Sequence, residues 1–306
     1  MSKNMIIENK AEITTSIFAW WRPDVAHEVS FLYWRDVHGV LASRMEGTYQ
    51  YRQLHLGYID PEKLYNVEGI EGVELDLPLH DQPNGIAQLL YLSAKDLEAF
   101  IECDVTVKYV SKDEPYLVSR NAFTMSVTPE TRTFIDRNCS GLLNGASKNP
   151  RYAIAFKKQE GASVDEFRKY LTEFFAEKWS KLGDVQRLRL HLLESYEESP
   201  STFASVSHTW DKSKQYQAWI EVELSKDFLI SSLFQQSVDL KKYISAIHAY
   251  PVEAVYTFVY DGKPTLVGLR GYHAAEAIQA AGAENQKSED LLEELYGKII
   301  HSTNSK

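Results

Sequence analysis

The sequence predicts an α+β fold in which a single β-α-β-β-α-β unit occurs twice in one chain. Three observations carry that prediction. Residues 47–56, Gly-Thr-Tyr-Gln-Tyr-Arg-Gln-Leu-His-Leu, and residues 183–192, Gly-Asp-Val-Gln-Arg-Leu-Arg-Leu-His-Leu, match without a gap at glycine, glutamine and the closing Leu-His-Leu. The offset is constant at 136 residues (47 to 183, 55 to 191) and also pairs Ala19 with Ala155, Trp20 with Phe156 and Phe31 with Phe167, the mark of a duplicated supersecondary unit. Strand-like and helix-like stretches occur in the same order in both halves. A chain of 306 residues with 44% hydrophobic content can bury a sizeable core without staples.

Residues 1–12 are polar and unpatterned and read as a loose arm. Ile13 to Arg22, rich in β-branched and aromatic residues, reads as a strand ended by Pro23, with Asp24 as a cap for the next helix. Val29, Leu32, Tyr33, Val37, Val40 and Leu41 form one helical stripe. A second strand spans 47–59. Residues 60–85, with Gly69, Gly72, Pro78 and Pro83, read as a long surface excursion, a lid or a dimer contact. A third strand at 86–92 leads to a helix capped by Ser93 with Asp96, and 116–127 supplies the fourth strand.

The first repeat is thus placed at 13–128, and 129–150 is a polar, glycine-punctuated linker. The second repeat, 151–262, has a strand at 151–158, a Ser163/Glu166 cap, a helix to Leu182, strands at 185–196 and 216–224, a mainly helical 226–246 and a last strand at 255–260. The tail, 263–306, reads as a short strand at 265–269, an alanine-rich helix and a closing helix from Ser288 to Ile300, packed on the body.

A formal net charge of −10 argues against nucleic acid as a partner, no basic stripe of the kind it requires is visible, and no apolar run approaches the roughly 20 residues of a membrane span. Cys103 and Cys139 lack metal-ligand spacing and the start is not signal-like, so a reduced, cytoplasmic setting is expected. The 12% aromatic share suits a pocket for a flat apolar ligand. Leu188, Leu190 and Leu192 alternate with Arg187, Arg189 and His191, so the leucines face helices. By the shared register Leu54 and Leu56 are expected under helices, with Tyr51, Gln53 and His55 on the opposite, functional face.

Phe31-Leu-Tyr-Trp-Arg-Asp-Val-His-Gly-Val-Leu, followed by a glycine and then Tyr51, Gln53 and His55 in a strand, resembles the EthD-like family of dimeric α+β barrel proteins. The resemblance covers the first unit and reaches the second only through the duplication. It implies ferredoxin-like units whose sheets form a barrel around a pocket, here from a single chain. It also implies lyase or cyclase chemistry on polyketide-like or aromatic substrates, with cofactor-free oxygenases among relatives and haem in more distant ones. The second copy departs from the pattern, with Phe174 in the place of His38 and Arg187 in that of Tyr51, which centres the site on the first copy.

His38 and His55 are the candidate acid/base pair, because imidazole titrates near neutral pH, and Tyr51 is the candidate donor to an enolate oxygen. The plainer alternatives are a helix-terminal His38 and a hydrogen-bonded barrel His55. Trp20, Trp21, Tyr33 and Trp34, with Gln53, are candidate pocket walls, or plain core. Arg187, Arg189 and His191 would suit an acidic substrate, with ion pairs to Glu194 or Glu221 as the alternative. Asp113 and Glu114 could orient a histidine. His273 and Glu276 form only a two-ligand metal spacing, so no metal is expected. The leading expectation is a cofactor-independent cyclase, dehydratase or decarboxylase. A monooxygenase or haem enzyme on the same barrel and a non-catalytic binder of hydrophobic ligands are the alternatives. A hydrophobic small molecule is the expected partner, with a homodimer left open.

Overall fold

The computed structural model describes residues 6–64, 70–137, 142–198, 206–235 and 239–297. Cys139, part of the linker and the end of the closing helix lie outside them. The first repeat consists of β1 (Ile13–Trp21), a helical arm, β2 (Gln50–Leu56), β3 (Gly85–Tyr91), a second helical arm and β4 (Val118–Ser126). The first arm joins α1 (His27–Tyr33), a π-helical turn (Trp34–His38) and α2 (Gly39–Ala42), and the second joins α3 (Ala94–Glu102), a π-helical turn (Thr106–Val110) and α4 (Ser111–Leu117). Between the repeats lie β5 (Thr133–Asp136) and β6 (Asn144–Gly145).

The second repeat consists of β7 (Arg151–Lys158), the arm α5 (Val164–Tyr170), π-helical turn (Leu171–Ala176) and α6 (Glu177–Trp179), then β8 (Val185–Leu192), β9 (Ala218–Leu224), α7 (Ser231–Phe234), α8 (Leu240–Tyr243) and β10 (Ile244–Tyr260). The tail adds β11 (Lys263–Pro264), α9 (Leu266–Arg270), α10 (Tyr272–Ala280) and α11 (Glu289–Tyr296). Each repeat has the ferredoxin-like strand order, β4-β1-β3-β2 in the first and β10-β7-β9-β8 in the second, and all these pairings are antiparallel.

The 17-residue strand β10 is the hinge of the architecture. Its first half pairs with β7 and its second half with β2, which fuses the two sheets edge to edge. The sheets then face each other across a barrel interior. Arg52 of β2 reaches Glu221 of β9 at 2.7 and 2.9 Å, Gln88 of β3 reaches His191 of β8 at 3.0 Å, and Trp219 donates to Ser16 of β1 at 3.0 Å. On the far side β5 pairs with β8, and the Glu194 amide donates to the Met125 carbonyl beside β4 at 2.7 Å.

The interior is ionic at one end and aromatic at the other. Glu8 accepts from Arg187 at 2.7 and 2.8 Å, Arg151 bonds both Glu221 and Glu223, and Arg187 also bonds Asp136. Burial alone would push the Glu8 carboxyl up, but Arg187, Arg189 and Arg52 outweigh it and hold the group well below the carboxylate range. The other end is closed by Phe18, Trp20, Leu54, Trp210, Tyr216 and Tyr250.

Several elements differ from the sequence reading. The arm is not loose from Ile7 on, because Ile7–Lys10 is a 3-10 turn that delivers Glu8 to the arginines. Asp24 pairs with Arg22 instead of capping α1. Of 226–246, the part before β10 holds only the short α7 and α8 among the described residues, and residues 266–270 are helical, with Thr265 accepting from the Gly268 amide. The 60–85 excursion lays Leu64, Ile70, Val73 and Leu75 on the helix layer of the second repeat. The Ser93 cap and the Ser163/Glu166 capping box are both formed.

The largest correction concerns facing. In β8 the leucines do pack under helices, beside Phe167 and Phe175. In β2 the opposite holds: Leu54 and Leu56 face the barrel interior, whereas Tyr51, Gln53 and His55 face the helices. The reason is a one-residue phase difference, which flips every side chain of a strand. Structurally equivalent elements are offset by 137 residues, not 136: α1 starts at His27 and α5 at Val164, and the π-helical turns start at Trp34 and Leu171. Tyr51, Gln53 and His55 therefore correspond to Leu188, Leu190 and Leu192, and Arg52 to Arg189.

Candidate active site

A cavity of about 170 Å³ lies between the first sheet and its two helical arms. Its floor is Ile17, Ala19, Tyr51, Ala87 and Leu89 from the strands, one wall is Trp34, His38 and Ala42, and the other is Thr106, Val110 and Glu114. Three of these positions explain why the space exists. At the offset of 137, Ala19, His38 and Ala42 correspond to Phe156, Phe175 and Trp179. Those three stack into a filled core in the second repeat, with ring centroids 5.4 Å (Phe156 to Phe175) and 4.5 Å (Phe175 to Trp179) apart. Small side chains and a histidine in the first copy leave the equivalent volume open.

His38 ends the π-helical turn and lines this cavity. Its Nδ1 meets Asp113 Oδ2 at 2.8 Å, and the two side chains keep 12% and 13% exposure, so the pair is reachable from solvent. Tyr33 donates to the other oxygen of Asp113. Burial pushes the Asp113 carboxyl up, but the hydrogen bonds from His38 and Tyr33 outweigh it and hold the group below its ordinary value. An ionised Asp113 fixes the proton on Nδ1 and leaves Nε2 as the basic lone pair. The next residue, Glu114, is in the opposite condition: burial pushes its carboxyl up, and its partner is the neutral Asn121 amide, at 3.3 Å.

Tyr51 is fixed by Gln53, whose Nε2 donates to the Tyr51 oxygen at 2.8 Å and to the Trp34 carbonyl at 2.9 Å. Because Gln53 occupies a lone pair of that oxygen, the phenolic hydrogen is available to a cavity occupant. Burial raises the Tyr51 phenol, which keeps it a hydrogen-bond donor. His55 is near but not in the cavity. It is boxed by Phe31, Trp34 and Tyr256 at centroid distances of 4.0, 4.5 and 5.1 Å, and it meets Gln53 Oε1 at 3.2 Å. Since that oxygen only accepts, His55 carries its proton on Nε2. Burial, then the charges of Arg35 and His27, lower its basicity well below the usual imidazole value.

The remaining predicted residues are elsewhere. Trp20 sits in the barrel interior and donates to the Asp81 carbonyl, and Trp21 packs on Trp34. Arg187 is engaged by Glu8, Asp136 and Glu221, Arg189 by Thr14 and Thr133, and His191 by Gln88 and a stacked Trp219. A larger opening of about 700 Å³ at this end of the barrel is lined by Glu8, Arg52, Arg151, Arg187 and Glu223. Its arginines already face carboxylates, so its volume offers less chemistry than the smaller cavity. Sequence marks Glu114 only as a possible partner for a histidine, and Asn121 not at all; nothing in their spacing marks a β4 residue that faces α4.

Among the described residues no group of three or more His, Cys, Asp or Glu side chains could hold a metal ion. Haem does not fit in this cavity, which at about 170 Å³ is far too small for a porphyrin and whose nearby His55 is sealed behind aromatic rings. Among the same residues no helix is long and apolar enough to cross a membrane.

No family model matches the chain, and no curated protein does. Among solved structures, it is similar to a putative monooxygenase from Fusobacterium nucleatum at 9% identity and TM-score 0.43, covering 80% of this chain and 92% of that one. An anthrone oxidase-like protein gives 8% identity and TM-score 0.45 over 81% and 93%, and a chlorite dismutase from Candidatus Nitrospira defluvii 12% and 0.34 over 81% and 91%. These values are too low to bear on residues or chemistry. The fold assignment rests on strand order, and the EthD-like resemblance on its motif residues.

Proposed function

We propose that the protein is an enzyme that performs cofactor-independent acid/base chemistry on a small, hydrophobic, oxygenated substrate held in the cavity of the first repeat. The observation that carries this reading is the exchange of Phe156, Phe175 and Trp179 for Ala19, His38 and Ala42, which turns a packed core into a space with a histidine in its wall. His38 Nε2 takes a proton from a carbon next to a carbonyl, with Asp113 holding the ring and stabilising the imidazolium. Tyr51 donates to the oxygen where negative charge develops. His55 acts through Gln53 as a positioning residue, and Trp34 is the wall against which a flat substrate lies.

Deuterium exchange at the α-carbon of small aryl ketones in D₂O, followed by NMR, tests this. Exchange by His38→Ala should fall about 10²–10⁴-fold and by Tyr51→Phe about 10-fold or more, with folding retained. A folded His38→Ala protein that exchanges as fast as wild type would refute the assignment. An oxygenase reading shares the first step, and the apolar Ile17, Leu89 and Val110 walls suit dioxygen. Oxygen consumption with the same ketones separates the two.

A further inference from the structure

Two neighbouring carboxyls on α4 enter the same site with opposite surroundings. Asp113 is ion-paired with His38 and accepts from Tyr33, whereas Glu114 lines the cavity with only the Asn121 amide as a polar partner, at 3.3 Å. We propose that Glu114 is the general acid of the site, delivering a proton to a departing hydroxyl, and that the substrates are β-hydroxycarbonyl compounds from which the enzyme eliminates water. This deepens the reading above and rests on it.

The geometry supplies both halves of a β-elimination. His38 takes the α-proton, Tyr51 holds the carbonyl oxygen, the C–O bond breaks, and the hydroxyl leaves as water carrying the Glu114 proton. The products are an αβ-unsaturated carbonyl and water. His38 is left protonated and Glu114 ionised, and proton return from imidazolium to carboxylate through solvent restores the site, so no oxidant or co-reactant is needed. A base alone enolises the ketone but expels hydroxide slowly, because hydroxide is a poor leaving group without a proton donor, so C–O cleavage is the step that a general acid accelerates.

The groups that face Glu114 set its state. From the first arm comes His38, from its own helix Asp113, from β4 Asn121 and from β2 Tyr51; Arg22, at the end of β1, is directed to the Pro115 carbonyl at 3.4 Å and to Asp24. Burial raises the carboxyl, Asp113 adds to this, and His38 and Asn121 offset part of it. Adjacent acids driven apart in this way can be one ionised and one protonated at the same pH.

The probe is 4-hydroxy-4-phenylbutan-2-one, with α-deuterium exchange and formation of the conjugated enone measured in the same tube. Wild type should do both, His38→Ala neither. Glu114→Gln, which keeps the shape and the Asn121 bond, should lower the ratio of elimination to exchange at least about 100-fold. On the wild-type enzyme, elimination should fall as pH rises through a value above the ordinary carboxyl value of about 4.3, while exchange does not follow it. If Glu114→Gln leaves the ratio unchanged, or if wild-type elimination and exchange share one pH profile, Glu114 is not the acid and the His38 reading stands. If wild type exchanges no deuterium, both fall.

Discussion

Replacing Glu8 by Gln isolates the contribution of a residue that the sequence places in a loose arm. Glu8 is 6% exposed and receives hydrogen bonds from Arg187 at 2.7 and 2.8 Å and from Gln50 at 2.9 Å, as well as from Thr133. Removing one partner of a buried ion pair costs about 3–5 kcal/mol, mostly because the remaining charge is stranded. Arg187 keeps Asp136 and Glu221, so Glu8→Gln belongs at the lower end, about 3 kcal/mol. Urea unfolding at pH 7 should show this as a lower midpoint at constant m. The sign with pH is definite. Burial opposes ionisation, yet the arginines hold the Glu8 carboxyl far below its ordinary range. Its stabilisation is therefore complete above an unfolded-state value of about 4.3 and is lost as pH falls through the folded value, so the two proteins should converge in acid. A difference below about 1 kcal/mol at pH 7, the size of a surface pair, would refute the ionic core as a structural element.

Two packing substitutions test the rest of the frame. A Cβ on Gly268 would lie 2.2 Å from the Phe258 carbonyl oxygen, a backbone atom that cannot swing away, so Gly268→Ala should lift α9 from β10 and cost about 1–3 kcal/mol by thermal or urea unfolding. Phe175→Ala should cost about 3–5 kcal/mol, because it opens in the second repeat the space that Trp179, Phe156 and Phe234 now share with its ring. The same protein should leave ketone exchange in the first repeat unaffected, since Phe175 is not among the residues of that cavity.

The duplication and the order of strands and helices were legible because hydrophobic period and capping residues are local signals. Ser93 with Asp96 and Ser163 with Glu166 mark two helix starts within a residue. Facing was not legible, and the matched Leu-His-Leu is what hid it. In β2 those leucines line the barrel, and in β8 they pack under helices. Identity of three residues outweighed the phase of the elements around them, whereas helix starts at 27 and 164 give the offset that keeps faces aligned. The role of Glu8 was hidden for a different reason, since its principal partners, Arg187 and Arg189, lie more than a hundred residues away on β8.

The corrected phase strengthens the asymmetry between the copies. A sheet face that meets helices is normally apolar, as Leu188, Leu190 and Leu192 are. The first copy places tyrosine, glutamine and histidine there, and each buried polar group has a desolvation cost that a hydrogen bond must offset. Gln53 serves both neighbours at once, accepting from His55 and donating to Tyr51 and Trp34, so the three residues form one connected unit. His55 Nδ1 is still left without a partner. A repeat that needed only to be stable would have kept the leucines and the Phe156, Phe175 and Trp179 plug of its sister copy. On the helix-facing side of the sheet the first copy therefore combines a polar strand, the space left by Ala19, His38 and Ala42, and His55 Nδ1 without a hydrogen-bond partner, where the second copy has leucines and stacked rings.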